Sequence, residues 1–407
     1  MKKPLVNSSD ASRGAGLSRL SRVKSRMGKQ YRKNRNYDTG AGQHKYVTTL
    51  SPWVSLRLLY EQEIINAALS AHKFCDAEKF IQEVFWRTYW KGWLEMRPMV
   101  WREFTRQRDA ALADFRDDTE YLMAISGNTN IECFNEWVID LKETGYLHNH
   151  ARMWFASIWI FTLRLPWVLG ADFFLQNLLD GDAASNTLSW RWVAGIQTPG
   201  KIYLARAENI NKFTDGRHKP VGKLVSKGFA IDDSASFNAE PLQLMNKSLR
   251  GRRTLLIVTD NDLGIDTSYK TFGEIVGVVG LDTVQFRSPK GASQNVSNFV
   301  TSAVLNTIEE FSKKKSIPAR FLSPNNWTLI TDFARQLGAE TCVALRTPIG
   351  PTRDVLGNIN TFLKLSRTEF VEHTRIWDQV SWPHATKGYF KFKGVIPKVL
   401  SSLEQNL

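Results

Sequence analysis

Between Tyr146 and Trp192 the sequence combines polar groups that can hold a ligand with a very aromatic, apolar stretch. His148, Asn149 and Arg152 open this segment, and an acidic loop, an amide and two indoles close it. The closing residues are Asp180, Gly181, Asp182, Asn186, Trp190 and Trp192. Buried polar groups are costly unless they have partners. The pattern therefore predicts a site for a large, flat cofactor that takes hydrogen bonds at its edge and packs against aromatic rings.

These motifs follow one another in the spacing of a known family. Asn149, Arg152 and Met153 form an HN-x-x-RM pattern, and a DGD-x-x-x-N loop and a W-x-W pair come later in the same register. The segment resembles the FAD-binding half of the photolyase/cryptochrome family. The resemblance implies an all-α, photolyase/cryptochrome-like domain that binds FAD.

A hydroxyl-rich turn precedes Pro52 and a helical pattern. Its residues are Thr48, Thr49, Leu50 and Ser51. A simple N-cap explains such hydroxyls, although a helix N-terminus also favours an anion. The resemblance implies that this turn holds the FAD diphosphate, together with an upstream tyrosine, Tyr31. The family usually has Ser-Arg-Leu-Ser here, so we expect the phosphate contact to be weaker or partly supplied elsewhere.

Glu83, Trp86, Arg87 and Trp90 are spaced to share one face of a helix. A surface ion pair beside a buried aromatic edge is one explanation of this face. The segment also resembles the E-x-x-WREFY helix of the family. That resemblance implies that Glu83 hydrogen-bonds a cyclobutane pyrimidine dimer, that Trp86 and Trp192 form opposite walls of the dimer pocket, and that Arg87 belongs to the cofactor site.

The resemblance also assigns roles around the FAD ring. Asn186 would face the N5 edge, where an amide can donate or accept a hydrogen bond. Arg152 would pair with a carboxylate of the loop, most simply Asp180, and Asp182 would contact a ribityl or ring group. Gly181 lies between these two carboxylates.

Two tryptophans match the start of the family's electron-transfer chain, Trp190 next to the flavin and Trp167 after it. The third member is not fixed by register, and Trp137, Trp154 and Trp159 stay as unranked candidates. For any tryptophan taken alone, core packing is the simpler explanation.

The type of lesion follows from two positions. Enzymes for the six-four photoproduct have two histidines four residues apart, where this chain has Asn149 and Met153, and His148 and His150 are out of register. We therefore expect light-driven repair of cyclobutane dimers in ultraviolet-damaged DNA. A blue-light photoreceptor without repair activity is the alternative, and a light-independent flavoprotein or plain DNA-binding module is a third hypothesis.

Composition limits the remaining possibilities. The three cysteines among the 407 residues are far apart, which argues for a reducing, cytoplasmic location and against a disulfide framework or a four-thiolate metal site. The most apolar run, from Met153 to Gly170, is too short and interrupted to span a membrane. We expect a monomer with no metal, and the antenna chromophore stays unassigned.

The distribution of charge and the pattern of apolar residues predict that the chain has three structural regions. Twelve Lys and Arg and two Asp lie between Met1 and Tyr46, and residues 1–30 read as a basic flexible arm that either contacts DNA or only aids solubility. Residues 31–250 would form the helical FAD-binding domain. Residues 251–407 alternate strands and helices and predict a smaller Rossmann-like α/β domain, although no G-x-G-x-x-G loop is present. In the family such a domain comes first, so the order would be permuted.

Overall fold

The computed structural model describes residues 5–231, 237–265, 271–323 and 326–405. The first twelve helices are α1 (Arg13–Val23), α2 (Lys29–Asn34), α3 (Ser51–Ser55), α4 (Glu61–Ala71), α5 (Phe74–Glu95), α6 (Pro98–Asp114), α7 (Thr119–Ser126), α8 (Glu132–Thr144), α9 (Asn149–Ser157), α10 (Trp167–Asn177), α11 (Ala183–Val193) and α12 (Ala207–Phe213). A π-helical turn, Ile158–Thr162, extends α9. We call residues 5–231 the helical part.

A parallel sheet follows, in what we call the sheet part, residues 253–373. Its strands are β1 (Arg253–Thr259), β2 (Glu274–Leu281), β3 (Ala319–Leu322), β4 (Thr341–Leu345) and β5 (Glu369–His373), in the order β3-β2-β1-β4-β5. Three further helices, α13 (Gln294–Lys315), α14 (Leu329–Gln336) and α15 (Pro351–Leu365), alternate with the strands. All four strand pairings are parallel. The prediction of a parallel α/β unit after the helical part is confirmed.

The N-terminal segment differs from the predicted flexible arm. Residues 5–34 contain α1 and α2, and Leu20, Val23 and Met27 are buried. These three residues recur at helical spacing, so one side of a highly charged segment is apolar and packs on the core. Gly16 permits this approach, since a Cβ there would lie 2.9 Å from the Trp53 ring. The first four residues of the predicted arm lie outside the described residues.

The chain returns to the helical part after β5. The last helices are α16 (Ile376–Ser381), α17 (Tyr389–Lys393) and α18 (Ile396–Gln405). Trp377 stacks on Phe85 of α5 with ring centroids 5.0 Å apart, and a Cβ on Gly92 would lie 2.9 Å from Trp382. These helices therefore pack on α5, so the region predicted as 251–407 contributes to both parts of the molecule.

A buried ionic network joins the two parts. Arg57, which follows α3, places Nη1 2.7 Å from Asp378 Oδ2 and 3.0 Å from Asp262 Oδ2. Arg375 also pairs with Asp262, at 2.6 Å. These charges are nearly inaccessible to water, so each one depends on its partners.

Among the described residues, no helix has the length and apolarity needed to cross a membrane.

Candidate functional site

A cavity of about 570 Å³ lies in the helical part, between α5, α9, α11 and the turn before α3. Nearly all residues predicted for the site line it. They are Tyr31, Thr48, Thr49, Leu50, Ser51, Glu83, Trp86, Arg87, Asn149, Arg152, Met153, Asp180, Gly181, Asp182, Asn186, Trp190 and Trp192. Trp167, also predicted, is not part of this lining.

The ion pair predicted between Arg152 and Asp180 is present. Arg152 Nη2 lies 3.0 Å from Asp180 Oδ2, and its Nε donates to the Leu147 carbonyl at 2.9 Å. Burial opposes the charge of Asp180, but Arg152 keeps the pKa of this carboxyl below its ordinary value. Asp180 therefore presents a fixed negative charge to the cavity.

Asp182 forms the second anionic position. It caps α11 by accepting from Ser185 N at 2.7 Å, and its Oδ2 lies 3.3 Å from Lys91 Nζ and 3.7 Å from Arg87 Nη1. Burial again opposes ionisation, yet Lys91 and Arg87 lower the pKa of Asp182 to about 2. Lys91 was not predicted for the site. Its signal in the sequence is its position four residues after Arg87, on the same face of α5.

Gly181 lies between the two carboxylates, where an added side chain would make tight contacts. A Cβ would lie 3.0 Å from the Leu178 carbonyl and 3.1 Å from Arg287 Nη1. Arg287 belongs to the sheet part, is buried, and donates from Nη1 to the Leu178 carbonyl at 3.2 Å. The sheet part thus supports the acidic loop from behind, a contact that the sequence motifs do not reveal.

The end of the cavity lined by α11 carries Asn186 and Trp190. Asn186 Nδ2 donates to the Ala171 carbonyl at 2.8 Å, which fixes the side-chain amide. The Trp190 ring contacts the rings of Phe174, at 5.1 Å between centroids, and Trp159, at 6.3 Å. Trp167 instead packs on Phe104, at 5.6 Å. Of the unranked tryptophans, Trp159 is the one in ring contact with Trp190.

The hydroxyl-rich turn is held by an arginine from the N-terminal segment. Arg19 of α1 donates from Nε to the Thr48 carbonyl at 3.2 Å and from Nη2 to Thr49 Oγ1. Thr49 has a φ of +53°, a left-handed conformation that is strained for a β-branched residue. Helix α3 has only five residues, so the positive charge beside the turn comes from Arg19 rather than from a long helix.

Glu83 is a further residue of the cavity lining. Its Oε1 lies 3.4 Å from Arg35 Nη1, and burial raises the pKa of Glu83 although Arg35 opposes the shift. Tyr31 lines this region and contacts the Phe80 ring at 5.2 Å. Burial, and secondly the charge of Glu83, raises the pKa of the Tyr31 phenol. Arg35 was not predicted for the site.

Both predicted aromatic walls stack on rings from outside the motifs. Trp86 stacks on Tyr389 of α17, with centroids 3.5 Å apart and planes 12° apart. Trp192 stacks on Tyr203, at 5.6 Å and 29°. The C-terminal helices therefore complete one side of the cavity.

The polar atoms of the cavity lining that lack hydrogen-bond partners are consistent with a bound FAD molecule. Several buried atoms of its lining residues lack a hydrogen-bond partner among the described residues: Arg87 Nη1, Asp180 Oδ1, Ser185 Oγ and Trp190 Nε1. Buried polar atoms in native proteins nearly always have partners. A bound ligand with donors, acceptors and negative charge would supply them.

Comparisons with known proteins agree with these motifs. Residues 80–227 match the family model described as the FAD binding domain of DNA photolyase. A deoxyribodipyrimidine photo-lyase of Streptomyces griseus is 32% identical over 151 residues, which cover 37% of this chain and 32% of that protein. A cryptochrome DASH of Idiomarina loihiensis is 28% identical over 185 residues, covering 44% and 40%.

A solved class III photolyase from Agrobacterium tumefaciens aligns with 50% of this chain and 43% of its own, at 24% identity and a TM-score of 0.43. In each comparison the chain spans less than half the length of its relative. The matched segment includes the helix of Glu83, the HN-x-x-RM motif and the DGD loop. Residues 80–227 are therefore similar to the FAD-binding domain of DNA photolyase, and this match supports FAD as the cofactor.

Proposed function

We propose that the protein is a photolyase-like lyase that splits cyclobutane pyrimidine dimers in ultraviolet-damaged DNA under blue light. The observation that supports this most is that one cavity is lined both by the residues suited to FAD and by Glu83, Trp86 and Trp192. A cofactor and a lesion in this space would be in contact. Reduced FAD, when bound, would supply the light-excited electron that opens the cyclobutane ring, and the electron would then return to FAD.

The residues of the acidic loop would hold the cofactor. Arg152 and Asp180 form a charged pair that would lie against the ring, and the amide of Asn186 could donate or accept a hydrogen bond there. Asp182, held ionised by Lys91, would accept from a ribityl hydroxyl or a ring N–H. The turn from Thr48 to Ser51 would contact the diphosphate, with Arg19 keeping that turn in position.

Glu83 would orient the lesion. Burial raises the pKa of this carboxyl although Arg35 opposes the shift, and the carboxyl would hydrogen-bond a pyrimidine of the dimer. Trp86 and Trp192 would pack on the two pyrimidine rings and exclude water. Among the described residues that line the cavity, no histidine is present, and Asn149 and Met153 occupy the positions expected for a cyclobutane-dimer enzyme.

A blue-light photoreceptor without repair activity is the second candidate, and two contacts favour it. Tyr389 already covers one face of Trp86, and Arg35 already pairs with Glu83. A lesion would have to compete with the second contact and use the remaining face of the indole.

We also propose that the sheet part is a Rossmann-like counterpart of the α/β domain that precedes the FAD domain in the family. The strand order β3-β2-β1-β4-β5 supports this, because doubly wound nucleotide-binding sheets have the same order in their first five strands. The division at residue 250 remains a proposal.

A repair assay separates the candidates. Purified, photoreduced protein is mixed with an oligonucleotide that contains one cyclobutane thymine dimer, and the dimer is counted after blue light and after an equal time in the dark. We expect loss of the dimer only in the light. An unchanged dimer in both samples, from protein that contains FAD, would leave the photoreceptor as the better account.

A further inference from the structure

Phe390, on α17, is an aromatic side chain that the fold leaves in water. It is 89% exposed, yet it also lines the edge of the cavity. Its neighbours Tyr389 and Phe392 are buried at 6% and 1%. An exposed aromatic ring at the edge of a ligand cavity is available to contact a molecule that binds there.

Helix α17 is held firmly, so Phe390 has a fixed place. Tyr389 stacks on Trp86 and donates its hydroxyl to the Gln82 carbonyl. Phe392 packs on the Tyr89 ring at 5.4 Å, and Lys393 Nζ lies 3.5 Å from Glu78 Oε1. These anchors set the distance between the ring of Phe390 and the predicted lesion wall.

The surroundings of Phe390 are strongly basic. Lys387, Lys391 and Lys398 are exposed, and no Asp or Glu occurs from 379 to 403. Helix α2, which carries Tyr31 at the cavity lining, presents the exposed Arg32 and Lys33. Exposed positive charge on both α2 and the C-terminal segment suits a nucleic-acid backbone rather than an apolar protein surface.

We propose that Phe390 inserts into the DNA duplex and stacks on the bases next to the gap left when a pyrimidine dimer turns into the cavity. The inference rests on the proposed function and deepens it, because it names the residue that stabilises the opened duplex. A base can leave the helix only by unstacking from its neighbours. Apolar side chains that enter such steps replace the lost stacking.

Binding measurements in the dark test this role. The affinities for a duplex with one cyclobutane dimer and for the undamaged duplex are measured by fluorescence anisotropy. We expect Phe390→Ala to weaken binding of the damaged duplex about tenfold, the usual effect of losing one base–aromatic stack. Binding of undamaged duplex should change by less than about twofold, and bound FAD should be unchanged.

Two further variants serve as controls. Phe390→Trp keeps a stacking ring and should restore the preference for damaged DNA. Leu365→Ala removes an equally prominent apolar side chain, 79% exposed on α15, and should behave as wild type. A 2-aminopurine base opposite the dimer should show fluorescence quenching with wild type and Phe390→Trp, and less with Phe390→Ala.

The outcomes separate the inference from the proposed function. If wild type prefers damaged duplex and Phe390→Ala keeps that preference, the role of Phe390 is wrong and the repair proposal stands. Equal weakening for damaged and undamaged duplexes also overturns it. If wild type shows no preference at all, both the repair proposal and the inference fail.

Discussion

Asp182 combines two roles at the level of a single residue, because it caps α11 and also balances Lys91. Its pKa is lowered from 3.8 to about 2, so the folded state favours the charged carboxylate more than the unfolded state does. The stabilisation that follows is complete above the unfolded pKa and disappears as pH falls through 2. A shift of this size corresponds to about 2 kcal/mol.

The variant Asp182→Asn tests this contribution. Asparagine also caps helices well, so the main loss is the charge pair with Lys91. We expect the apoprotein variant to be about 2 kcal/mol less stable at pH 7 in urea unfolding, with a gap that shrinks steadily between pH 4 and pH 2. A gap that does not vary with pH would mean that the ion pair is not its cause.

Gly181 offers a second test at this scale. Gly181→Ala places a methyl group 3.0 Å from the Leu178 carbonyl and 3.1 Å from Arg287, so the acidic loop or Arg287 must shift by a few tenths of an ångström. We expect FAD affinity, measured by quenching of flavin fluorescence, to fall at least about tenfold, a loss of about 1.4 kcal/mol. Gly357→Ala is the control, because nothing lies within 4 Å of its added Cβ and alanine suits a helix. Unchanged affinity in Gly181→Ala would contradict the described packing.

At the level of elements, helix α1 holds the hydroxyl-rich turn in position through Arg19, although the two are far apart in the sequence. Arg19→Ala should lower FAD affinity about tenfold, because Thr49 then loses the contact that holds its strained backbone. Arg22→Ala, an exposed neighbour one turn later on α1, should leave the affinity unchanged. If both variants bind FAD as wild type does, Arg19 has no part in forming the turn.

The sequence predicts which residues line the cavity, but it does not predict the residues that hold this lining in place. The motifs around Arg152, Asp180 and Asn186 have a fixed register, so their convergence on one cavity could be predicted. Arg19 and Arg287 reach the site from segments distant in the sequence, and no local pattern marks such contacts.

The same limit applies to the elements themselves. The strongly apolar β1, β2 and β4 were predicted, whereas the short β3 and β5 contain charged residues and resemble loops. Along α1 and the turn after it, the charged residues conceal the apolar stripe of Leu20, Val23 and Met27. Composition alone therefore predicts a disordered arm where the structure has helices.

At the scale of the whole molecule, the buried network around Arg57 makes the helical and sheet parts depend on each other. Arg57 contacts Asp262 after β1 and Asp378 in α16. Burial raises the pKa of the Asp378 carboxyl, and the charge of Arg57 opposes this shift. Loss of Arg57 would leave this carboxyl and Asp262 short of positive charge in the interior.

Arg57→Met should therefore lower the free energy of unfolding by about 3–5 kcal/mol. Since the network spans both parts, we expect circular dichroism and tryptophan fluorescence to report one shared transition in urea for wild type. Arg106→Ala removes an exposed ion pair with Glu103 and should change the free energy of unfolding much less. Equal effects of the two variants would show that the buried network contributes little.

The central claim is that one cavity serves both cofactor and lesion, and Glu83→Ala examines it most directly. The measurement is the rate of dimer repair under blue light, with bound FAD determined spectroscopically on the same samples. We predict that the variant retains FAD at the wild-type level and repairs at least about tenfold more slowly, because the hydrogen bond between the Glu83 carboxyl and the lesion is lost. Repair at the wild-type rate, or a parallel loss of FAD and repair, would contradict the account.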